Sequence, residues 1–489
     1  MLYFMKKLPI ILVLILLSCS EKSIEQVPQK PNVLLLYIDD LRPELASFGA
    51  LQIQSPNIDA LAEKGVMFSN AYCNVPVCGA SRASMLTGIL PTKNRFLDYN
   101  TFVEKEAPEA VTIPELFKNN GYTAISNGKI YHHLDDREGD WNEVWRPYAF
   151  DKNDTGLTPT DYWQSLWKDY KDPYNASQYR ITDMGPAYES EIVSDSTYID
   201  GLLTEKVIRD IKKLKKEKKP FFLTAGFISP HLPFNAPKKY WDLYDRNTIK
   251  QPENYNYIPK DAPEISISSW PEMRSYTNIP RQGQVSDSLA IDLIHGYYAT
   301  ISYTDALVGK ILNALKEEGL ENNTIVILVS DHGYNLQEHT QWTKFTNYNT
   351  STQVPLIIYN PFSKTKGTTN ALTSLVDIYP TLVEICELEA PKKQLDGVSL
   401  VPVLNNLNSE GKKYVFIKKN NGFTLKTRDF SYTEFIKPKD NSTVARMLYD
   451  HRKNKSENIN VVHQKEFKGI VSELSLTLHS VYQKNIYGK

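Results

Sequence analysis

Acidic residues directly follow two strongly apolar segments of the sequence, at positions where they could bind a metal ion. Asp39 and Asp40 follow the first segment, and Asp331 and His332 follow the second. In an open α/β sheet, ligands gather beyond the carboxyl ends of the strands, and a cluster of carboxylates there would need a divalent cation. Because Asp and Gly are also common in turns, either motif alone could simply end a strand. The presence of both motifs favours metal binding.

A second chemical motif is a cysteine that lies four residues before an arginine. Cys78 and Arg82 belong to a segment that is predicted to open a helix. The thiol would then lie at the positive helix terminus beside a guanidinium, which suits a tetrahedral oxyanion. A buried structural thiol, a disulfide between Cys73 and Cys78, and an ordinary cysteine nucleophile remain open as alternatives, although none of them explains the metal motifs.

Strand-like and helix-like segments alternate along the chain. Residues 33–38 are predicted to form a fully buried strand, because their apolar side chains are continuous rather than alternating. Further strands are predicted at residues 66–68, 122–125, 221–227 and 324–329. Helices are predicted at residues 58–65, 113–120, 204–219 and 297–318. This order predicts an α/β fold with a large, mostly parallel sheet that is flanked by helices on both faces.

Two long segments and the C-terminal part depart from this pattern. Residues 135–198 and 251–286 are predicted to be insertions on one rim of the sheet, where functional loops usually lie. The first insertion carries four tryptophans, Trp141, Trp145, Trp163 and Trp167. Aromatic rings can stack on sugar faces, although some of these four are expected only to pack against other parts of the protein. After residue 404, short β-like segments predict a smaller antiparallel C-terminal α+β subdomain, residues 405–489.

The overall composition excludes several classes of protein. The chain has 489 residues with 56 Lys and Arg against 57 Asp and Glu, so its net charge is -1. This balance provides no bulk attraction for nucleic acid, and we expect no nucleic-acid partner. Four cysteines are too few for a disulfide scaffold.

The N-terminus has the features of an export signal. Lys6 and Lys7 precede a short apolar run, residues 10–17, which is about half the length of a membrane span. The sequence Leu16-Leu17-Ser18-Cys19 then resembles the lipobox of bacterial lipoproteins. It predicts a signal peptide at residues 1–18, a lipid on Cys19 that anchors the chain to the membrane, and a tether at residues 19–30. These features predict an exported protein of the bacterial cell envelope, in the periplasm or at the outer membrane. The alternative is an ordinary secretory signal peptide.

The cysteine motif and five further blocks resemble the type I sulfatases. Cys78, Ala80 and Arg82, followed by Leu86-Thr87-Gly88, match the family signature, with Ala80 where the commoner form has Pro. The other blocks are Asp39-Asp40, Gly128-Lys129-Ile130-Tyr131-His132, Pro230-His231-Leu232-Pro233-Phe234, Asp331-His332-Gly333 and Trp342-Thr343-Lys344. The resemblance covers residues 31–404, the predicted catalytic domain, and is greatest to the iduronate-2-sulfatase-like branch.

This resemblance implies an alkaline-phosphatase-like fold and a particular cofactor set. Cys78 would be oxidised to formylglycine by a formylglycine-generating enzyme. The family implies one Ca²⁺ per chain, although a histidine ligand would suit Zn²⁺ better than Ca²⁺. The implied metal ligands are Asp39, Asp40, Cys78, Asp331 and His332.

The resemblance also implies a role for each remaining site residue. Arg82 and Lys129 would contact the nucleophile's surroundings and the sulfate oxygens. His132 would help to deprotonate the nucleophile. His231 and Lys344 would lie near the leaving oxygen, with His231 as the proton donor.

These implications predict an exported sulfatase that hydrolyses sulfate esters of a sulfated polysaccharide or oligosaccharide. Uronate- or rhamnose-containing substrates, such as ulvan or glycosaminoglycan fragments, fit best. The alternatives are a phosphatase or phosphodiesterase with a Thr or Ser nucleophile and two zinc ions, and an inactive carbohydrate-binding lipoprotein.

Overall fold

The structure is a computed structural model that describes residues 30–133, 136–146, 170–182, 184–453 and 455–487. The predicted signal peptide, Cys19, Trp163 and Trp167 lie outside the described residues. No helix in the described part of the chain is both long and apolar enough to cross a membrane.

The strands form one large sheet and several smaller ones. In chain order they are β1 Asn32–Ile38, β2 Val66–Tyr72, β3 Thr123–Gly128, β4 Glu143–Trp145, β5 Tyr188–Glu191, β6 Phe221–Phe227, β7 Phe234–Pro237, β8 Thr324–Ser330, β9 Asn335–Leu336, β10 Trp342–Thr343, β11 Gln353–Tyr359, β12 Gly367–Thr369, β13 Thr373–Ser374, β14 Val415–Lys419, β15 Gly422–Lys426, β16 Phe430–Ile436 and β17 Thr443–Asp450.

Within the described residues, the large sheet has nine strands in the order β12-β2-β11-β8-β1-β6-β3-β4, with β13 also pairing with β2. The strand β1 lies at its centre and pairs in parallel with both β6 and β8. Only β11 runs antiparallel to its neighbours β2 and β8. The predicted mostly parallel sheet is therefore confirmed.

Helices cover both faces of this sheet. In chain order the described α-helices are α1 Pro56–Lys64, α2 Cys78–Thr87, α3 Val103–Glu106, α4 Ile113–Asn119, α5 Pro173–Thr182, α6 Ile199–Glu217, α7 Lys238–Trp241, α8 Asp287–Glu317, α9 Asn349–Thr352, α10 Ile378–Ile385, α11 Val401–Asn405 and α12 Lys468–Tyr487. Alternate residues of β1 enter two separate cores: Leu34 and Leu36 pack with α6 and α8, whereas Val33 and Leu35 pack with α2 and α4. Burial on both faces explains why this strand is apolar throughout.

The C-terminal part forms a second, antiparallel sheet in the order β14-β15-β16-β17. The helix α12 packs on it through Leu474, Leu478 and Tyr482, which are spaced by one helical turn. The predicted smaller antiparallel part is confirmed, whereas the exact boundary at residue 404 stays a prediction.

Two of the predicted helices begin earlier in the structure than the sequence pattern indicates. The helix predicted at residues 297–318 begins earlier, at Asp287, because the Ser286 side chain accepts a hydrogen bond from the Leu289 amide at 3.3 Å and caps it. The helix predicted to start at residue 204 likewise begins at Ile199.

Candidate active site

The chemical motifs meet at the carboxyl ends of the central strands. In the sheet, Ile38 at the end of β1 is paired with Phe227 at the end of β6 and with Ser330 at the end of β8. Asp39 and Asp331 therefore emerge side by side. Lys129 follows β3 and His231 follows β6, so these two residues enter the same edge of the sheet.

Four predicted ligands form a compact, buried group. One ligand atom each from Asp39, Cys78, Asp331 and His332 can be chosen so that all lie within 4.8 Å of one another. The fifth predicted ligand, Asp40, lies beside this group: its Oδ1 is 3.3 Å from His332 Nδ1, and its Oδ2 is 3.0 Å from Lys344 Nζ.

The chemistry of this group fits a divalent cation. Asp39 Oδ1 and Asp40 Oδ1 are buried and receive no hydrogen bond from the described residues, a costly state for a carboxylate unless a cation compensates for it. His332 Nδ1 lies 3.0 Å from the Gly333 carbonyl, which can only accept a hydrogen bond, and the other ring nitrogen, Nε2, lies 3.2 Å from Cys78 Sγ. Asp39, Asp331 and His332 thus bring two carboxylates and an imidazole into one compact group, a donor set that suits a divalent cation, with Asp40 beside it.

Arg82 is predicted to contact the nucleophile's surroundings and the sulfate oxygens; in the structure it contacts Asp331 and the backbone of residues 129 and 130, and its contact with sulfate stays a prediction. Its side chain is fully buried and does not line the cavity described below. Its Nε donates to Asp331 Oδ2 at 2.8 Å, its Nη1 donates to the carbonyls of Lys129 and Ile130, and its Nη2 lies 3.6 Å from Asp39 Oδ1. The guanidinium thus lies against the predicted metal-binding carboxylates and orients them, while its Nη2 has no hydrogen-bond partner within the described residues.

Lys129 and His132 lie with Cys78 along the cavity described below. Lys129 Nζ forms an ion pair with Asp39 Oδ2. Although burial alone would raise the pKa of Asp39, the cations Lys129, His231 and Arg82 hold it well below its usual value. Burial, together with Lys129 and His133, lowers the pKa of His132 well below its usual value. His132 is therefore neutral at pH 7, the form that a proton acceptor needs, and its role as a base stays a prediction.

Cys78 is the first residue of α2 and is only 3 % exposed. Burial raises the pKa of its thiol well above the usual value, so the unmodified residue is a poor thiolate nucleophile. Cys73, Cys78 and Cys386 are all free, which contradicts the alternative of a disulfide between Cys73 and Cys78.

His231 and Lys344 line the same cavity as Cys78, and a third residue joins them; their predicted place near the leaving oxygen stays a prediction. Glu272 Oε1 lies 2.7 Å from His231 Nε2, and Glu272 Oε2 lies 2.8 Å from Lys344 Nζ. His231 Nδ1 lies 2.6 Å from the Leu232 carbonyl. A carbonyl and a carboxylate only accept hydrogen bonds, so both ring nitrogens of His231 donate and the ring is an imidazolium.

Sequence reasoning missed Glu272 altogether. It lies within the second insertion, 72 residues before Lys344, in a segment with no periodic pattern. Only the expectation that insertions carry functional residues pointed to this region.

The described charges of the site balance one another. The negative groups are the carboxylates of Asp39, Asp40, Asp331 and Glu272. The positive groups are Arg82, Lys129, Lys344 and the imidazolium of His231. Because these charges cancel, an entering sulfate ester would give the site a net charge of about −1, and a divalent cation would change it to about +1, so the cation would attract the ester and stabilise the negative charge on its oxygens.

A cavity of about 560 Å³ opens beside these residues, within the range of small-molecule binding sites. It is lined by residues from both insertions and from the predicted motifs, among them Cys78, Lys129, His132, Met184, Tyr198, His231, Glu272 and Lys344. Of the tryptophans considered for sugar stacking, Trp141 instead packs on Phe222 with a centroid distance of 6.0 Å.

Comparison with family models places most of the chain in one family. Residues 31–387 match the model described as Sulfatase. Residues 337–484 match the model described as N-sulphoglucosamine sulphohydrolase, C-terminal.

Individual relatives and solved structures agree with this result. Iduronate 2-sulfatase of Mus musculus is 31% identical over 399 residues, which cover 74% of this chain and 70% of the relative. A protein of Formosa agariphila named ulvan-active sulfatase is 27% identical over 95% of this chain and 84% of the relative.

The solved structure of a protein in complex with its substrate D-glucosamine-2-N,6-O-disulfate superposes with a TM-score of 0.72 and 21% identity, covering 94% of this chain and 98% of that one. This similarity confirms the alkaline-phosphatase-like sulfatase fold. Together with the family match over residues 31–387, it establishes that the chain belongs to the sulfatase family, the enzymes that hydrolyse sulfate esters.

Proposed function

We propose that the chain is a formylglycine-dependent sulfatase that removes sulfate from a sulfated carbohydrate. The observation that carries this proposal is the position of Cys78, which lies between the buried ligand group and the cavity. The names of two relatives, one acting on a glucosamine disulfate and one on ulvan, support a carbohydrate substrate. Uronate- or rhamnose-containing fragments of glycosaminoglycans or ulvan are the substrates that we propose.

The modification and the metal would supply the reactive chemistry. A formylglycine at position 78 provides, as its hydrate, an oxygen nucleophile for sulfur, and a bound cation provides positive charge for the sulfate oxygens. Asp39, Asp40, Asp331 and His332 would hold the cation. We propose Ca²⁺, because carboxylate oxygens dominate this set, although the imidazole of His332 would also suit Zn²⁺.

The remaining residues bind and move protons. Lys129 lines the cavity next to Cys78 and offers its ammonium group to a sulfate oxygen. His132, neutral because burial lowers its pKa, accepts a proton from the nucleophile. The imidazolium of His231 donates its Nε2 proton to the departing alkoxide, a poor leaving group unless it is protonated. Lys344 stabilises the same oxygen by its charge.

We also propose that the enzyme is exported and anchored by lipid. The basic start, the apolar run and the sequence Leu16-Leu17-Ser18-Cys19 support a lipoprotein of the bacterial cell envelope. The formylglycine-generating enzyme of the host would be a required partner. Radiolabelled palmitate should label the wild type and not the Cys19→Ser variant; equal labelling of both would contradict the anchor.

Sulfate release from defined oligosaccharides tests the proposed activity. Purified enzyme from a host that carries the modifying enzyme should release sulfate from a glycosaminoglycan or ulvan oligosaccharide. Cys78→Ala should abolish this activity, whereas Cys386→Ala, which changes a buried cysteine outside the cavity, should retain it. Hydrolysis of phosphate esters in preference to all sulfate esters would favour the phosphatase alternative.

A further inference from the structure

Glu272 lies on a rim segment that the rest of the protein holds firmly. Its neighbours Trp270, Met273 and Tyr276 are 3 %, 1 % and 1 % exposed and pack into the core. The Arg274 guanidinium donates to three backbone carbonyls of the same segment, at distances of 2.8 to 3.1 Å. A carboxylate carried on such a segment keeps a defined position.

This carboxylate contacts both groups that face the leaving oxygen. Glu272 Oε1 lies 2.7 Å from His231 Nε2 and 3.1 Å from Lys344 Nζ, and Oε2 lies 2.8 Å from Lys344 Nζ. The exposed fraction of the Glu272 side chain is 21%, against 7% for His231 and 2% for Lys344. All three contacts are ion pairs, and the one from Lys344 Nζ to Glu272 Oε1 is also a hydrogen bond, so the carboxylate attracts both cations at short range.

Asp40 is a second carboxylate neighbour of Lys344 and His231, on the side opposite to Glu272. Asp40 Oδ2 lies 3.0 Å from Lys344 Nζ and 3.7 Å from His231 Nε2, on the side of the ligand group. Glu272 contacts them from the rim. Without it, the carboxylates that attract both cations would be Asp40 and Asp39, and the cations would move towards these metal-binding carboxylates, away from a bound ester.

We propose that Glu272 is a positioning residue that holds His231 Nε2 and Lys344 Nζ towards the leaving oxygen of the substrate. The proposal rests on the proposed sulfatase function. Glu272 acts through its two partners: it keeps the proton donor and the ammonium group at the rim side of the cavity, where the alcohol part of the ester must lie. The departing oxygen then replaces Glu272 as the acceptor of the His231 Nε2 proton.

This role predicts an effect that depends on the leaving group. A sugar alkoxide must be protonated as it departs, whereas a nitrophenolate leaves readily without a proton. Loss of the positioning carboxylate should therefore slow the hydrolysis of a sugar sulfate much more than that of an aryl sulfate. A general loss of folding would slow both reactions equally.

Kinetics of the Glu272→Gln variant on two esters test the proposal. For the carbohydrate sulfate that the wild type hydrolyses, kcat should fall about 10- to 100-fold with little change in KM. For 4-nitrophenyl sulfate, kcat should fall less than about threefold. Glu264→Gln, an exposed change in the same insertion, should leave both unchanged. Equal losses on the two esters would overturn the proposal.

A double-mutant cycle tests the same proposal with a single substrate. If Glu272 acts largely through His231, adding Glu272→Gln to His231→Ala should lower kcat by less than about threefold further. Losses that multiply would overturn the proposal while leaving the sulfatase function intact. A wild type that releases sulfate from neither ester would overturn both the function and the role of Glu272.

Discussion

Replacing Arg82 with Met should destabilise the protein more than replacing any exposed arginine. The Arg82 and Asp331 side chains are both 0% exposed, and their Nε–Oδ2 distance is 2.8 Å. The guanidinium also lies 4.4 Å from the Tyr37 ring centroid. The Arg82→Met variant leaves two buried carboxylates, Asp331 and Asp39, without this partner.

The expected magnitude follows from the burial of these charges. Removing one partner of a buried ion pair costs about 3–5 kcal/mol. For a cooperative unit the size of residues 31–387, the unfolding entropy is about 0.75 kcal/mol per degree. The midpoint of thermal unfolding should therefore fall by about 4–7 °C.

Differential scanning fluorimetry on metal-free protein measures this midpoint, with Arg246→Met as the matched control. Arg246 pairs with Asp292 at 2.5 Å, but the two side chains are 43% and 28% exposed, and such surface pairs contribute about 0–1 kcal/mol. If the unfolding midpoint of Arg82→Met lies within about 1 °C of the wild-type midpoint, or if Arg246→Met lowers the midpoint equally, then Arg82 does not stabilise the buried carboxylates as described.

Three further predictions follow from other parts of the structure. His231→Ala and Lys344→Ala should each lower kcat on a sugar sulfate by about 10²- to 10³-fold. Lys344→Ala should also lower the unfolding midpoint, because it removes the partner of the buried Asp40 carboxylate; unchanged kcat in both variants would mean that the proton donor lies elsewhere. Chelation with EGTA should lower both the unfolding midpoint and the activity, and added Ca²⁺ should restore both. When Ca²⁺ exceeds its Kd a hundredfold, its binding should raise the free energy of unfolding by about 2.7 kcal/mol. A midpoint that does not respond to Ca²⁺ would argue against a bound cation. Burial lowers the pKa of Lys426 to about 8, whereas an unfolded lysine has a pKa of about 10.4. Because the unfolded chain binds more protons between these values, stability should rise with pH across this window in the wild type relative to Lys426→Met, and parallel pH profiles of the two midpoints would contradict the lowered pKa.

The sequence was sufficient to predict where the site lies. Asp39 and Asp331 each end an apolar segment, and the carboxyl ends of parallel strands share one edge of a sheet. The pairing of Ile38 with Ser330 brings the two motifs together as expected. Motifs that are fixed by strand ends can thus be placed without a structure.

The direction of a side chain and the partners of an irregular segment could not be predicted in this way. The motif that contains Arg82 identifies the residue but does not show that the guanidinium faces inward, to the Lys129 carbonyl. Glu272 meets His231 and Lys344 only through tertiary folding of a segment without periodicity. By contrast, the helix Lys468–Tyr487 was missed although its signal was present, because Leu474, Leu478 and Tyr482 recur every four residues.

The mass of the peptide that contains Cys78 tests the central claim most directly. In active enzyme from a host with the modifying enzyme, the account predicts that this peptide has exchanged one sulfur and two hydrogens for one oxygen. The conversion should be absent, together with the activity, when the modifying enzyme is absent. An unmodified thiol at position 78 in protein that hydrolyses sulfate esters at full rate would contradict the account.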